Sequence, residues 1–169
     1  MGRGEGERRQ GAGERPAESS PRGGAVSLID AACRAVLAAD AGAAALVGQR
    51  IYPDRLPAGA TLPALTYSLI SEVPDPYVPG VRQARVQVSC WDAPAEHAGV
   101  RSPATVTAVA EAVISALSRT ALQKQVSSWT VGSNTYTVTS CRCTDAPRLY
   151  ENETGFYHVP CDFIITFRT

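Results

Sequence analysis

The sequence predicts an α+β fold: a four-stranded, mainly antiparallel sheet made of two hairpins, with helices packed on one face in the order α-β-β-α-β-β. Three observations predict it. Near the C-terminus, Tyr157, Val159, Cys161, Phe163, Ile165 and Phe167 recur at every second position, the period of a strand with one buried face. Val106, Val109, Val113 and Leu117 recur at helical spacing. Strand-like runs flank that helix on both sides, bounded by clusters of Gly, Pro, Asn and Asp.

Residues 1–24 stand apart as a flexible Gly/Arg/Glu-rich N-terminal arm. Arg3, Arg8, Arg9, Arg15 and Arg22 are nearly balanced by Glu5, Glu7, Glu14 and Glu18, and the stretch has no apolar face to bury. The folded domain is expected over residues 25–169. It opens with a helix from Ser27, where Ser27 and Asp30 have capping-box spacing. Ile29, Cys33, Val36 and Leu37 share one face of that helix. Asp40-Ala41-Gly42 interrupts it, and a short second turn from Ala43 to Val47 ends at Gly48.

Residues 51–59 read as a connecting loop, followed by a strand from Pro63 to Glu72. Three prolines make residues 74–80 a loop. The next strand, Arg82 to Trp91, places Val86, Val88 and Cys90 on one side and Arg85, Gln87 and Ser89 on the other. Asp92 to Pro94 can cap the following helix, with Ser102-Pro103 as an alternative beginning. A third strand spans Trp129 to Thr144, with a turn at Gly132-Ser133-Asn134 in its first half. The fourth, Phe156 to Arg168, contains Pro160, which predicts an edge position or a bulge there.

Bulk properties narrow the function. A chain of 169 residues allows one domain, and a domain of that size holds a core without staples. Formal net charge is zero, which argues against a dedicated nucleic-acid binder and permits self-association. The five cysteines (Cys33, Cys90, Cys141, Cys143 and Cys161) are expected as buried thiols in a reducing cytoplasm. No apolar run approaches membrane-span length, and the N-terminus lacks the apolar stretch of a signal peptide.

No catalytic, cofactor-binding or metal site is predicted. The two histidines are His97 and His158. His158 and Asp162 share a strand face, an arrangement open to acid–base work but read here as an exposed cross-strand contact. Cys141 and Cys143 share a face without the second ligand pair that zinc needs. No Gly-x-Ser-x-Gly elbow is present, and the glycines of residues 2–6 lack the strand and helix of a phosphate loop.

Four segments, in order, resemble the tail-completion or tail-terminator proteins of long-tailed bacteriophages and related tail-like particles. They are Leu46-Val47-Gly48-Gln49-Arg50-Ile51-Tyr52-Pro53, Leu62-Pro63-Ala64-Leu65-Thr66-Tyr67, Ala84 to Trp91, and Gly155 to Phe163. The resemblance covers residues 27–169; the N-terminal arm and the Gly99 to Pro103 interruption depart from it. It implies a non-enzymatic virion protein at the tail–neck junction, assembled in the bacterial cytoplasm. Its copies would form a ring, usually a hexamer, that caps the tail tube and joins it to the head–neck complex. Its partners would be further copies of itself, the tail tube protein and the head–tail connector proteins, with DNA only as passing cargo and no cofactor. The expected contacts lie in the loops 73–82 and 145–154, through Asp75, Tyr77, Arg82, Arg148 and Tyr150, because Tyr and Arg anchor interfaces. The alternatives are a head-completion or connector protein, a protein-binding module outside any phage, and a small hydrolase or isomerase using His158 and Asp162.

Overall fold

The computed structural model describes residues 27–93, 95–97, 100–122 and 126–168. The arm expected over residues 1–24 lies outside them. The helices are α1 (Ile29–Ala39), α2 (Ala41–Val47) and α3 (Ala104–Leu122). The strands are β1 (Ile51–Pro53), β2 (Ala64–Pro74), β3 (Val81–Asp92), β4 (Ala95–His97), β5 (Val100–Ser102), β6 (Ser127–Val131), β7 (Asn134–Asp145), β8 (Leu149–Tyr150) and β9 (Tyr157–Arg168).

Local chemistry sets the first two helices. Asp40 ends α1 and caps α2, its Oδ1 accepting from the Gly42 and Ala43 N–H groups at 2.9 and 3.0 Å. Gly48 ends α2 at φ 56°, a left-handed value suited to glycine. Arg50 then ties the elements together: its guanidinium donates to the Leu46 carbonyl at 3.0 Å and the Pro63 carbonyl at 2.8 Å. The Ser27 cap is not made. Helix α1 begins after Leu28, and Ser27 Oγ instead donates to the Glu72 carboxylate, which also pairs with Arg82.

The predicted sheet requires correction. The main sheet is seven-stranded, mixed and curled, in the order β1-β2-β3-β9-β7-β6 with β8 on the flank of β9, and not a four-stranded antiparallel sheet of order α-β-β-α-β-β. Three local features account for the difference. Residues 51–53, expected in a loop, pair in parallel with Leu65 to Tyr67; three residues with a proline carry too little alternation to read as a strand, and burial of Ile51 holds them. The expected third strand is a hairpin of its own, β6 and β7, folded at Gly132-Ser133 with Gly132 at φ 58°. Strand β8 adds two short pairs at the start of β9.

Pro160 is a further departure, because β9 lies inside the sheet, between β3 and β7. The Thr144 hydroxyl donates to the Asp162 carbonyl and the Thr139 hydroxyl to the Thr166 carbonyl. Even-numbered residues of β9 therefore turn their backbone groups toward the β7 flank. Pairing on that flank lapses between Asp145↔Asp162 and Leu149↔His158, so the missing N–H of Pro160 interrupts no ladder.

The core lies between one sheet face and the helices. Val159, Cys161, Phe163, Ile165 and Phe167 of β9 are buried with Ala84, Val86, Val88 and Cys90 of β3, Leu65 of β2 and Val138 of β7. Val106, Val109, Val113 and Leu117 of α3 cover them, with Ile29, Cys33 and Leu37 of α1 alongside. Tyr136 meets Phe167 edge-on at 5.5 Å and accepts the Leu28 N–H at 2.8 Å, which fixes the start of α1. Phe163 has no solvent exposure. Replacing it with alanine is expected to cost about 3–5 kcal/mol in urea denaturation, through lost burial and an unfilled cavity.

Candidate interaction surfaces

The turn between β2 and β3 is held by its own acid. Asp75 Oδ1 accepts from the N–H groups of Tyr77 and Val78 at 2.8 and 2.9 Å, and the Asp75 N–H donates to the Val81 carbonyl at 2.9 Å. Pro74, Pro76 and Pro79 restrict the chain further, and Gly80 takes φ 79°. The product is a fixed turn that presents Tyr77, 89% exposed, at its tip with Val78 beside it. Ile70 and Val73, also exposed, continue this apolar surface along β2. Among the described residues, β2 beyond Tyr67 has no strand partner on the flank away from β3.

A second surface lies around residues 146–150. Thr107, Ala110, Glu111 and Ile114 of α3 face Ala146 and Arg148 across a groove of about 270 Å³ floored by Val159. Leu149 and Tyr150 continue from it, Tyr150 tilted against Tyr157 with ring centroids 5.2 Å apart. The Glu151 N–H donates to the Phe156 carbonyl at 2.9 Å, closing the loop behind β8.

The five residues expected at an interface thus divide. Asp75 is turned inward on its own backbone, and Arg82 is paired with Glu72 at the base of the hairpin. Tyr77 and Arg148 are presented to solvent, and Tyr150 is partly so. The structure does not bring the two loops together. Val81 pairs with Arg168 and Tyr150 with Tyr157, so they sit at opposite ends of β9, about 35 Å apart at strand rise. Ile114, Glu111 and Leu149 were not among the residues expected at an interface. Ile114 carried a signal, being a large apolar residue off the buried stripe of α3.

The residues weighed for chemistry have structural partners. His158 and Asp162 share the sheet face away from the helices, but four positions of strand separate them, about 13 Å. Asp162 is buried; it accepts from Arg85 and, at 3.0 Å, from Gln87 Nε2. His158 stacks on Trp91 with centroids 3.9 Å apart and rings 4° from parallel, and its Nδ1 lies 3.8 Å from Glu151. Trp91 in turn donates from Nε1 to the Thr66 hydroxyl at 3.1 Å. This is a covered cross-strand cluster where an exposed contact was expected.

Cys33, Cys90, Cys141 and Cys161 are buried and Cys143 is half-buried, all as free thiols. Burial pushes Cys141 up to about 12 and raises Cys33 well above its ordinary value; a hydrogen bond with Cys161 and burial do the same for Cys90. Burial thus favours the neutral thiol form of these groups.

The family described as tail completion protein gp17 matches residues 31–168. Among solved structures, a chain from the virion of a native gene transfer agent particle is similar in fold, with a TM-score of 0.55 and 23% identity; the match covers 83% of this chain and 95% of that one. Comparison with curated proteins gives no significant match.

Burial holds the His158 imidazole below its ordinary 6.5, against a smaller upward pull from Glu151. As pH falls the unfolded chain takes up the proton first. The stability this neutral ring contributes is therefore intact above about pH 6.5 and lost as pH drops through the lowered folded value. A His158→Phe variant, which keeps a flat ring on Trp91, should lose less stability than the parent between about pH 7 and about pH 5 in urea titrations. Equal losses in the two proteins would show that His158 does not set this dependence.

Proposed function

The chain belongs to the tail completion protein family, a family of bacteriophage virion structural proteins, and on that premise we propose that it is a tail terminator, a subunit whose copies close into a ring on the end of the tail tube and join it to the neck. The observation that carries this reading is the placement of two different exposed surfaces at opposite ends of β9. Two unlike surfaces on one chain can associate head to tail, the geometry that closes into rings. Six copies are the proposed number. The neutral net charge suits a joint that DNA passes without being gripped.

The loops at these ends make the contacts, Tyr77 at one and Arg148 with Tyr150 at the other. Asp75 and Arg82 act indirectly, by fixing the turn and the hairpin base that carry Tyr77. Function then resides in shape and rigidity, and the polar groups described above serve the fold.

Native mass measurement with negative-stain imaging of the full chain is expected to give rings. Particles assembled with an Arg148→Glu chain are expected to contain heads and tails that fail to join. Normal joining by that variant would remove Arg148 from the contact, and normal joining without the chain would remove the function.

A further inference from the structure

We propose that Tyr77 of one copy seats in the groove between α3 and residues 146–148 of the next copy, so that the exposed turn of each subunit is the key to a lock at the far end of its neighbour. The inference rests on the ring reading above and commits that ring to one contact.

Size allows this occupant. A groove of about 270 Å³ has room for one aromatic side chain, which would bury about 150–250 Å². Tyr77 is 89% exposed and held on a turn that its own Asp75 has already ordered. Docking it therefore costs little conformational entropy.

Chemistry agrees. The groove has an apolar floor and wall in Val159, Ala110 and Ile114, which match the ring, and a polar rim in Glu111 and Arg148. The phenol O–H would donate to Glu111. Asp75 is the charged residue of the turn 74–80, and Arg148 is the charged residue of the segment 146–150. Seating Tyr77 brings the negative turn toward the positive Arg148, with the Asp75 carboxylate keeping its bonds to the Tyr77 and Val78 N–H groups.

Position makes the contact directional. The turn caps the β2–β3 end of the sheet, while the groove opens on the β7 and β8 flank at the other end of β9. A copy that gives its Tyr77 to one neighbour still offers its groove to another. Such a contact can propagate from copy to copy until a ring closes, whereas a twofold pair would have to exchange both keys at once.

The test uses the full chain with three substitutions. Tyr77→Ala removes the key; Ala146→Trp, at an exposed loop position, fills the groove; Ile114→Arg charges its wall and serves as a second blocking variant. Circular dichroism and melting of each monomer confirm folding before assembly is read. At protein concentrations where the parent forms rings, each variant alone is expected to weaken association by about 30-fold or more, the scale of an interface hot spot. Mixing Tyr77→Ala with Ala146→Trp leaves one intact contact, from the turn of the Trp-bearing chain to the open groove of the other. The mixture should therefore give dimers by native mass spectrometry and no rings. Rings undiminished in Tyr77→Ala and in both groove variants would overturn the seat and leave the ring reading standing. A parent chain monomeric at every concentration would overturn the ring and the seat together.

Discussion

The pairing of β9 with β3 runs from Tyr157 to Arg168 without a register shift, and the rest of the molecule is arranged around it. On the inner face this ladder sets Phe163 against Val86 and Cys161 against Val88; on the outer face it sets Asp162 against Gln87 and His158 against Trp91. A slip of one residue would move both buried phenylalanines to the outer face and Asp162 into the core. Each face thus enforces the register of the other. Apolar burial demands one set of positions inside, and the Arg85–Asp162–Gln87 bonds reward the same register outside.

This ladder also gives the residues richest in chemistry structural partners. A half-buried His, a buried Asp and five thiols would suggest an active centre in a list. In the folded chain Asp162 is paired with Arg85, His158 lies flat on Trp91, and burial raises the proton affinity of Cys33 and Cys141. The family-like segment Leu46 to Pro53 has the same character. Val47 is buried, Gly48 takes the left-handed cap, Arg50 clamps two carbonyls, and Ile51 anchors a parallel strand. Its residue types are required by a joint between helix and sheet.

The two exposed surfaces proposed as contacts lie at the two ends of β9. One is a braced turn that ends in an aromatic ring; the other is a shallow groove with an ion-bearing rim. Both are supported by regular structure, the turn by the long β2–β3 ladder and the groove by α3. A subunit that transmits geometry between layers of a particle needs contact points with this little freedom. Loosely ordered loops would lose part of their binding energy in becoming ordered.

The sequence by itself determined the buried face of β9, the apolar stripe of α3, the inner residues of β3, the break at Asp40 and the exposed turn at Tyr77. Each is written in spacing along a few consecutive residues, which is the range over which helix and strand periods act. It also carried the family likeness, because the four segments are local. Tertiary structure alone decided that β9 lies inside the sheet despite Pro160, that Ile51 to Pro53 pair in parallel, that Arg82 belongs to Glu72, and that the loops 73–82 and 145–154 sit at opposite ends of β9. Those facts depend on which strands become neighbours, as when Arg85 meets Asp162 across 77 positions of chain. Alternation tells a strand which face to bury and is silent about the strand beside it. That choice is made when burial and hydrogen bonding are satisfied over the whole sheet at once.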